Sequence, residues 1–247
     1  MTAEPTTGDA VAPPTPPTSE AAATPSSGTT PTDQRLQLAA TRATELLLTR
    51  HGETVWHHDN RYAGAGSDID LTTRGHTQAQ ALARWTRTQD IDVIVSSPVR
   101  RAQETAAPAA AALGLPVHIL DGLREVDFGV AEGRTMAELL ATDPALVQRF
   151  RADPVAHPFP GSEPPAAAAT RAAAALREIA GRWPGERVLV VAHNTLLRLG
   201  LCQLLGIPVA RYRHVFPRLD NTAITRVGLH PDPDQPAALL SLNVHLS

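Results

Sequence analysis

Leu46-Leu47-Leu48-Thr49-Arg50-His51-Gly52-Glu53-Thr54 is an apolar run that stops abruptly at a guanidinium, an imidazole and a glycine. Such a run predicts a buried strand that delivers its last side chains to the carboxyl edge of a sheet, where open α/β folds hold their ligands. Gly52 suits a backbone that turns sharply or approaches a ligand closely, and the planar fork of Arg50 matches phosphate or carboxylate oxygens. An anionic substrate beside a nitrogen nucleophile follows, provided that another part of the chain supplies the other half of the site. On its own, Arg-His-Gly reads equally as a strand end with a surface cation.

Arg187-Val188-Leu189-Val190-Val191-Ala192-His193-Asn194-Thr195 supplies that half. It is a second β-branched run that ends in a histidine, and a helical pattern follows it to Leu205. The amides of Asn194 and Thr195 therefore fall at a helix N-terminus, where an anion is favoured. Between the two runs, short apolar segments alternate with helical ones. Thr73 opens a helix through Trp85; Ile91–Val95 is a strand; Pro98 starts a helix to Leu113; Pro116–Leu120 is a strand. Helices follow over Thr135–Ala141, Pro144–Phe150 and Pro165–Trp183, and two late strands, Thr222–Val227 and Ala237–Val244, belong at the sheet margin. The alternation predicts an α/β fold with a mostly parallel sheet.

Composition excludes several classes of function. All 22 basic residues are arginine, so chemistry that needs a lysine, whether a Walker A loop, a protein-kinase site or a Schiff base, is excluded. Any phosphate must be held by Arg, His and backbone amides. A net charge of −3 argues against a nucleic-acid footprint. Residues 1–42, rich in Pro, Thr and Ala, lack apolar periodicity and are expected to form a disordered tail, with a single catalytic domain over 43–247. Neither a secretory signal nor a membrane span is evident, so a cytoplasmic protein is expected.

Three features are set aside. The paired His57-His58 would need adjacent side chains to converge on one ion, and no metal-ligand spacing supports that. Gly64-Ala65-Gly66 has no strand before it and reads as a turn rather than a dinucleotide loop. Cys202, the only cysteine, reads as a buried inert thiol.

Four stretches in order, Arg50-His51-Gly52-Glu53-Thr54, Ser97-Pro98-Val99-Arg100-Arg101-Ala102, Leu123-Arg124-Glu125 with Gly129 and Glu132-Gly133, and Val190-Val191-Ala192-His193, resemble the motifs of the histidine phosphatase superfamily, also called phosphoglycerate mutase-like. The resemblance implies a three-layer sandwich with helices on both faces of the sheet. It implies His51 as the nucleophile that becomes phosphohistidine, Arg50, Arg101 and His193 as the phosphate clamp, and Glu125 as general acid and base. Arg101, not Arg100, stands on the family position. His51, Glu125 and His193 are thus the expected catalytic residues, and Arg50, Arg101 and Asn194 the expected phosphate ligands. His57, Arg61 and Tyr62 are expected to contribute to substrate binding.

Two positions depart from the pattern: Asn194, where many relatives have glycine, and His57, where many have asparagine. Neighbouring guanidiniums should hold His51 neutral, and Glu125 needs a raised pKa. The expected activity is hydrolysis of a small phosphate ester without metal or cofactor, with no nucleic-acid or membrane partner and a homodimer as the one assembly considered. Mutase activity is the first alternative. Mutases of this resemblance carry a lysine three residues after Gly133 and an adjacent Arg pair further on, whereas this chain has Met136 and Arg149-Phe150-Arg151. A non-catalytic phospho-ligand binder, the second alternative, should have lost His51 or Glu125.

Overall fold

The computed structural model describes residues 43–232 and 234–246; the expected tail over 1–42 lies outside the described residues. Six strands form one sheet in the order β3-β2-β4-β1-β5-β6. They are β1 (Thr44–Arg50), β2 (Val93–Ser96), β3 (Val117–Ile119), β4 (Arg187–Ala192), β5 (Ile224–Leu229) and β6 (Ala238–Val244). The first four run parallel, and the two late strands lie at the margin as expected, where β5 and β6 are antiparallel. The helices are α1 (Thr73–Thr86), α2 (Arg100–Leu113), α3 (Met136–Thr142), α4 (Pro144–Ala152), α5 (Pro165–Arg182), α6 (Asn194–Leu204) and the short α7 (Tyr212–Val215), which no pattern in the chain had announced.

Strands buried on both faces explain the unbroken apolar runs. Leu46 and Leu48 of β1 join Val188 and Val190 of β4 in a core with α5 and α6. The intervening Leu47, Leu189 and Val191 turn to the opposite face, against α1 and α2. Three layers result. The alanine-rich face of α5 lets α6 come close: a Cβ at Gly200 would lie 2.9 Å from that of Ala172.

Helix starts differ by a residue or two from those expected, for local reasons. Thr72 rather than Thr73 caps α1, its hydroxyl accepting the Gly75 N–H at 3.0 Å. Pro98 lies before α2, because Val99 keeps extended backbone and Arg100 is the first helical residue. Thr135 and Glu138 form a reciprocal capping box on α3, and Asp143 caps α4 ahead of Pro144. No helix among the described residues is long and apolar enough to cross a membrane.

The register of the central strands places the site. Arg50 pairs with Ala192, and the His51 N–H donates to the Ala192 carbonyl at 3.0 Å. His51 and His193 therefore leave adjacent strands at one edge. The Ser97 N–H donates to Val191 at 3.0 Å, which brings the end of β2 to the same edge.

Candidate active site

His51 is buried, and its Nδ1 lies 2.7 Å from its neighbour's carbonyl, Gly52 O. A carbonyl only accepts, so the ring proton sits on Nδ1 and Nε2 carries the lone pair. Arg101 Nε lies 3.2 Å from Nε2, a donor aimed at the atom that would attack. Burial, followed by the charges of Arg101, His193 and Arg50, holds the His51 pKa well below its ordinary value and keeps the ring neutral. Gly52 meets the backbone of α1 here: a Cβ on it would lie 2.7 Å from Gly75 O, so a side chain would push the nucleophile loop away from its support.

Two arginines flank the imidazole. Arg101 is almost wholly buried and donates to the carbonyls of Ser67 at 2.8 Å and of Ala63 and Gly64 at 3.1 Å, while Arg100 turns outward to Asp68 and Asp70. The loop that receives Arg101 is itself latched by Glu132, whose carboxylate accepts from Gly64 N at 2.9 Å and Ser67 Oγ at 2.6 Å. Arg50 donates through Nη1 to Leu219 O at 3.2 Å and through Nη2 to His57 Nε2 at 2.5 Å. Its Nε is buried without a partner, and burial lowers the Arg50 pKa to about 10.

His57 rests on Thr54, its Nδ1 2.8 Å from that hydroxyl, and it keeps a low pKa of about 4, through burial and then the Arg50 charge. Asn221, which the sequence gave no reason to single out, donates from Nδ2 to His51 O at 2.7 Å and lies 3.4 Å from His57 Nε2. It ties the nucleophile's backbone to the Arg50–His57 pair.

His193 is fully buried, with ring centroid 5.2 Å from that of His51. Its Nε2 lies 2.8 Å from Ser97 Oγ, and that oxygen already accepts the Val99 N–H at 3.2 Å. With Nε2 engaged by Ser97, the other ring nitrogen of His193 is Nδ1. That atom is buried and has no partner within the protein. Burial, then Arg101 and Arg50, holds the pKa of His193 well below the ordinary range.

Glu125 occupies the start of α6. Its Oε1 accepts from Leu196 N at 2.8 Å and Val126 N at 2.9 Å, and its Oε2 from Thr195 N at 3.1 Å. Of the two amides that the sequence offered to a substrate anion, those of Asn194 and Thr195, the Thr195 N–H is thus taken by the protein's own carboxyl group. Burial raises the Glu125 pKa, against the lowering effect of these amides and of Arg101. The loop carrying Glu125 is pinned by Arg171 of α5, which donates to Gly122 O at 2.8 Å and Arg124 O at 2.9 Å and pairs with Glu163 at 2.6 Å. Nothing in the alanine-rich stretch of α5, which also carries Arg177 and Arg182, marks Arg171 for this role.

Two neutral imidazoles, two guanidiniums and one protonatable carboxyl group thus meet around a common edge, a set of groups with the chemistry that phosphoryl transfer needs. Residues 46–241 match the family model described as histidine phosphatase superfamily, branch 1. The chain belongs to that family.

Among its relatives, phosphoserine phosphatase 1 of Hydrogenobacter thermophilus is 34% identical over 168 residues, covering 68% of this chain and 79% of that protein. A probable phosphoglycerate mutase of Yersinia enterocolitica is 33% identical over 189 residues, 76% of this chain and 86% of that one. Among solved structures, a mycobacterial glucosyl-3-phosphoglycerate phosphatase superposes with a TM-score of 0.73 at 30% identity, over 83% of this chain and all of that one. With these relatives, the chain is a phosphoric monoester hydrolase.

In this histidine phosphatase a cavity of about 430 Å³ opens from His51 and Glu125 to the surface between Arg61, Met136, Arg151 and Arg218. Asn194 lines it, although its side-chain oxygen accepts the Leu219 N–H at 3.0 Å. Arg61 braces the wall, donating to Gly133 O at 2.8 Å and Glu138 at 3.0 Å. Tyr62 is held in an aromatic cluster, 5.0 Å from Phe128 and 5.4 Å from Phe159 between centroids. Of the two arginines that flank Phe150, only Arg151 reaches the cavity.

Proposed function

We propose that this enzyme hydrolyses a small phosphate monoester in two displacements on one histidine. In the first, the lone pair of His51 Nε2 attacks phosphorus, the P–N bond forms, and the ester P–O bond breaks in line. Glu125 gives its proton to the departing alkoxide, so the alcohol leaves neutral. In the second, Glu125 takes a proton from water, the resulting hydroxide attacks the same phosphorus, and the P–N bond breaks to return His51 and release inorganic phosphate.

The observation that carries this reading is the state of His51: the ring is neutral, its proton is fixed on Nδ1 by Gly52 O, and its lone pair faces the buried Arg101. Phosphoryl transfer needs positioned positive charge more than covalent help. On this reading Arg50, Arg101 and His193 supply that charge and its hydrogen bonds: Arg101 and His193 lie against the His51 ring, the Nδ1 of His193 has no partner, and Arg50, His57 and Asn194 line the cavity. Glu125 Oε2, with a single donor, keeps a lone pair free to carry the proton, and burial raises the pKa in the direction that favours holding it.

Water is the acceptor we favour over a second phosphate ester. Met136 lines the pocket where mutases carry a lysine, and Arg149 does not reach the cavity. A complete nucleophile, acid and clamp also leave no reason for a ligand-binding role without turnover. We take the enzyme to act in the cytoplasm on free metabolites, phosphorylated acids such as those of its relatives among them; a net charge of −3 speaks against a nucleic-acid partner.

The test is release of phosphate from a panel of phosphomonoesters with chelator present, together with rapid acid-free quenching on radiolabelled ester. Wild-type protein should turn over and carry an acid-labile, base-stable label, and His51→Ala should lose both. Turnover that persists in His51→Ala, or that disappears with chelator, would overturn the mechanism. Interconversion of 2- and 3-phosphoglycerate faster than phosphate release would make the enzyme a mutase.

A further inference from the structure

We propose that the outer half of the pocket is a subsite for a second anionic group on the substrate, held by Arg151 and Arg213 beside the Tyr62 hydroxyl. The proposal rests on the phosphomonoesterase reading above and narrows its substrate to esters bearing a second negative charge.

The cavity is lined by six arginines and a single carboxylate, Glu125, which is committed to the amides of α6. Four of the six have work on the page already. Arg50 belongs to the phosphate end. Arg61 is paired with Glu138, Arg218 with Asp220 at 2.6 Å, and Arg198 is turned to Phe216 O with its guanidinium 4.9 Å above the Tyr212 ring. Arg151 and Arg213 remain, and neither has an ion-pair partner among the described residues.

Both line the same cavity as Tyr62. Arg213, on α7, stands 5.4 Å from the Phe150 ring centroid and meets the hydroxyls of Tyr62 and Tyr212. Arg151 follows Phe150 at the end of α4, and both cations act on the Tyr62 phenol. Tyr62 itself cannot swing away, because Phe128, Phe150 and Phe159 each meet its ring edge-on. Two uncompensated guanidiniums about one fixed hydroxyl repel each other until an anion joins them. A carboxylate or a second phosphate accepts from both forks and from the phenol at once. Both arginines share one cavity with His51, so a substrate of metabolite size can place its scissile phosphate inward and the second anion outward.

The experiment compares kcat/KM for ester pairs that differ in the second charge: 3-phosphoglycerate against glycerol 3-phosphate, and fructose 1,6-bisphosphate against fructose 6-phosphate. Wild-type enzyme should prefer the doubly anionic member of at least one pair, and which pair distinguishes carboxylate from phosphate. In R151M/R213M that preference ratio should fall about tenfold to a hundredfold, mainly through KM, the loss expected for charge-assisted hydrogen bonds. Arg149→Met, which removes the same charge from α4 outside the cavity, should leave the ratio where it was.

A wild-type enzyme indifferent to the second charge would overturn the subsite, as would a ratio that survives in the double variant or falls equally in Arg149→Met. Those results differ from failure of the underlying reading, which would show as no phosphate released from any ester.

Discussion

Replacing His57 by asparagine removes a titrating ring from the phosphate end of the pocket, and its effect on stability can be worked out from the contacts. Arg50 donates to His57 Nε2 at 2.5 Å, so a protonated ring would turn an N–H against a guanidinium. Burial and that charge bring the folded-state pKa to about 4, against about 6.5 in an unfolded chain. Between those values the unfolded chain binds a proton that the folded chain refuses, so stability is lost as pH falls from about 6.5 towards 4, and nothing is lost above it.

The full interval corresponds to about 3 kcal/mol, and partial exposure of the ring reduces this to about 2 kcal/mol. For a chain of this size that is roughly 4–8 °C in Tm. Melting curves at pH 7, 6, 5 and 4, each protein referred to its own value at pH 7, should therefore show His57→Asn losing about 4–8 °C less than wild type by pH 4. The buried His51 and His193 remain in both proteins and cancel. Parallel loss in the two would refute the assignment of a neutral acceptor to His57.

Three further outcomes follow from the same contacts. Glu125→Gln keeps the amide acceptor but not the proton, so kcat should fall about 10²–10⁴-fold on alkyl esters and much less on aryl phosphates, whose leaving group needs no acid; initial rates on the two classes decide it. Arg101→Ala should lower kcat/KM about 10²–10³-fold, whereas Arg100→Ala, which touches only surface acids, should stay within about threefold. Phe159→Ala empties a buried site stacked 4.0 Å from Phe150 and should cost about 3–5 kcal/mol, read as a fall of about 10 °C in Tm by calorimetry.

The features legible in the sequence are those with a local cause. Unbroken apolar runs announce strands buried on both faces, and here they fixed the sheet core at Leu46–Leu48 and Val188–Val191. His51 and His193 end those runs, so their meeting needed only that β1 and β4 be neighbours. Arg101 could be preferred to Arg100 only through the resemblance, because both sit at the same helix start and composition does not tell them apart. The long-range contacts were not legible: Asn221 on the His51 carbonyl spans 170 residues and Arg171 on the Glu125 loop spans 47. No period or spacing encodes either, since both depend on how loops from distant elements stack over the sheet edge.

The start of α6 shows how such a contact can reverse an expectation built on sound physics. An anion was expected there, and one is found, but it is the carboxylate of Glu125 rather than a substrate phosphate. Three amides directed at one carboxylate would by themselves favour its charged form, and burial has to outweigh them for Glu125 to hold a proton. That balance fixes the acid within reach of the leaving group while leaving its pKa adjustable. With the Thr195 and Leu196 amides occupied, the mechanism proposed above leaves more of the phosphate to side chains. Hence Arg50 and Arg101 are both drawn into the interior, where, with no acid paired to either, they are free to be neutralised by the substrate itself.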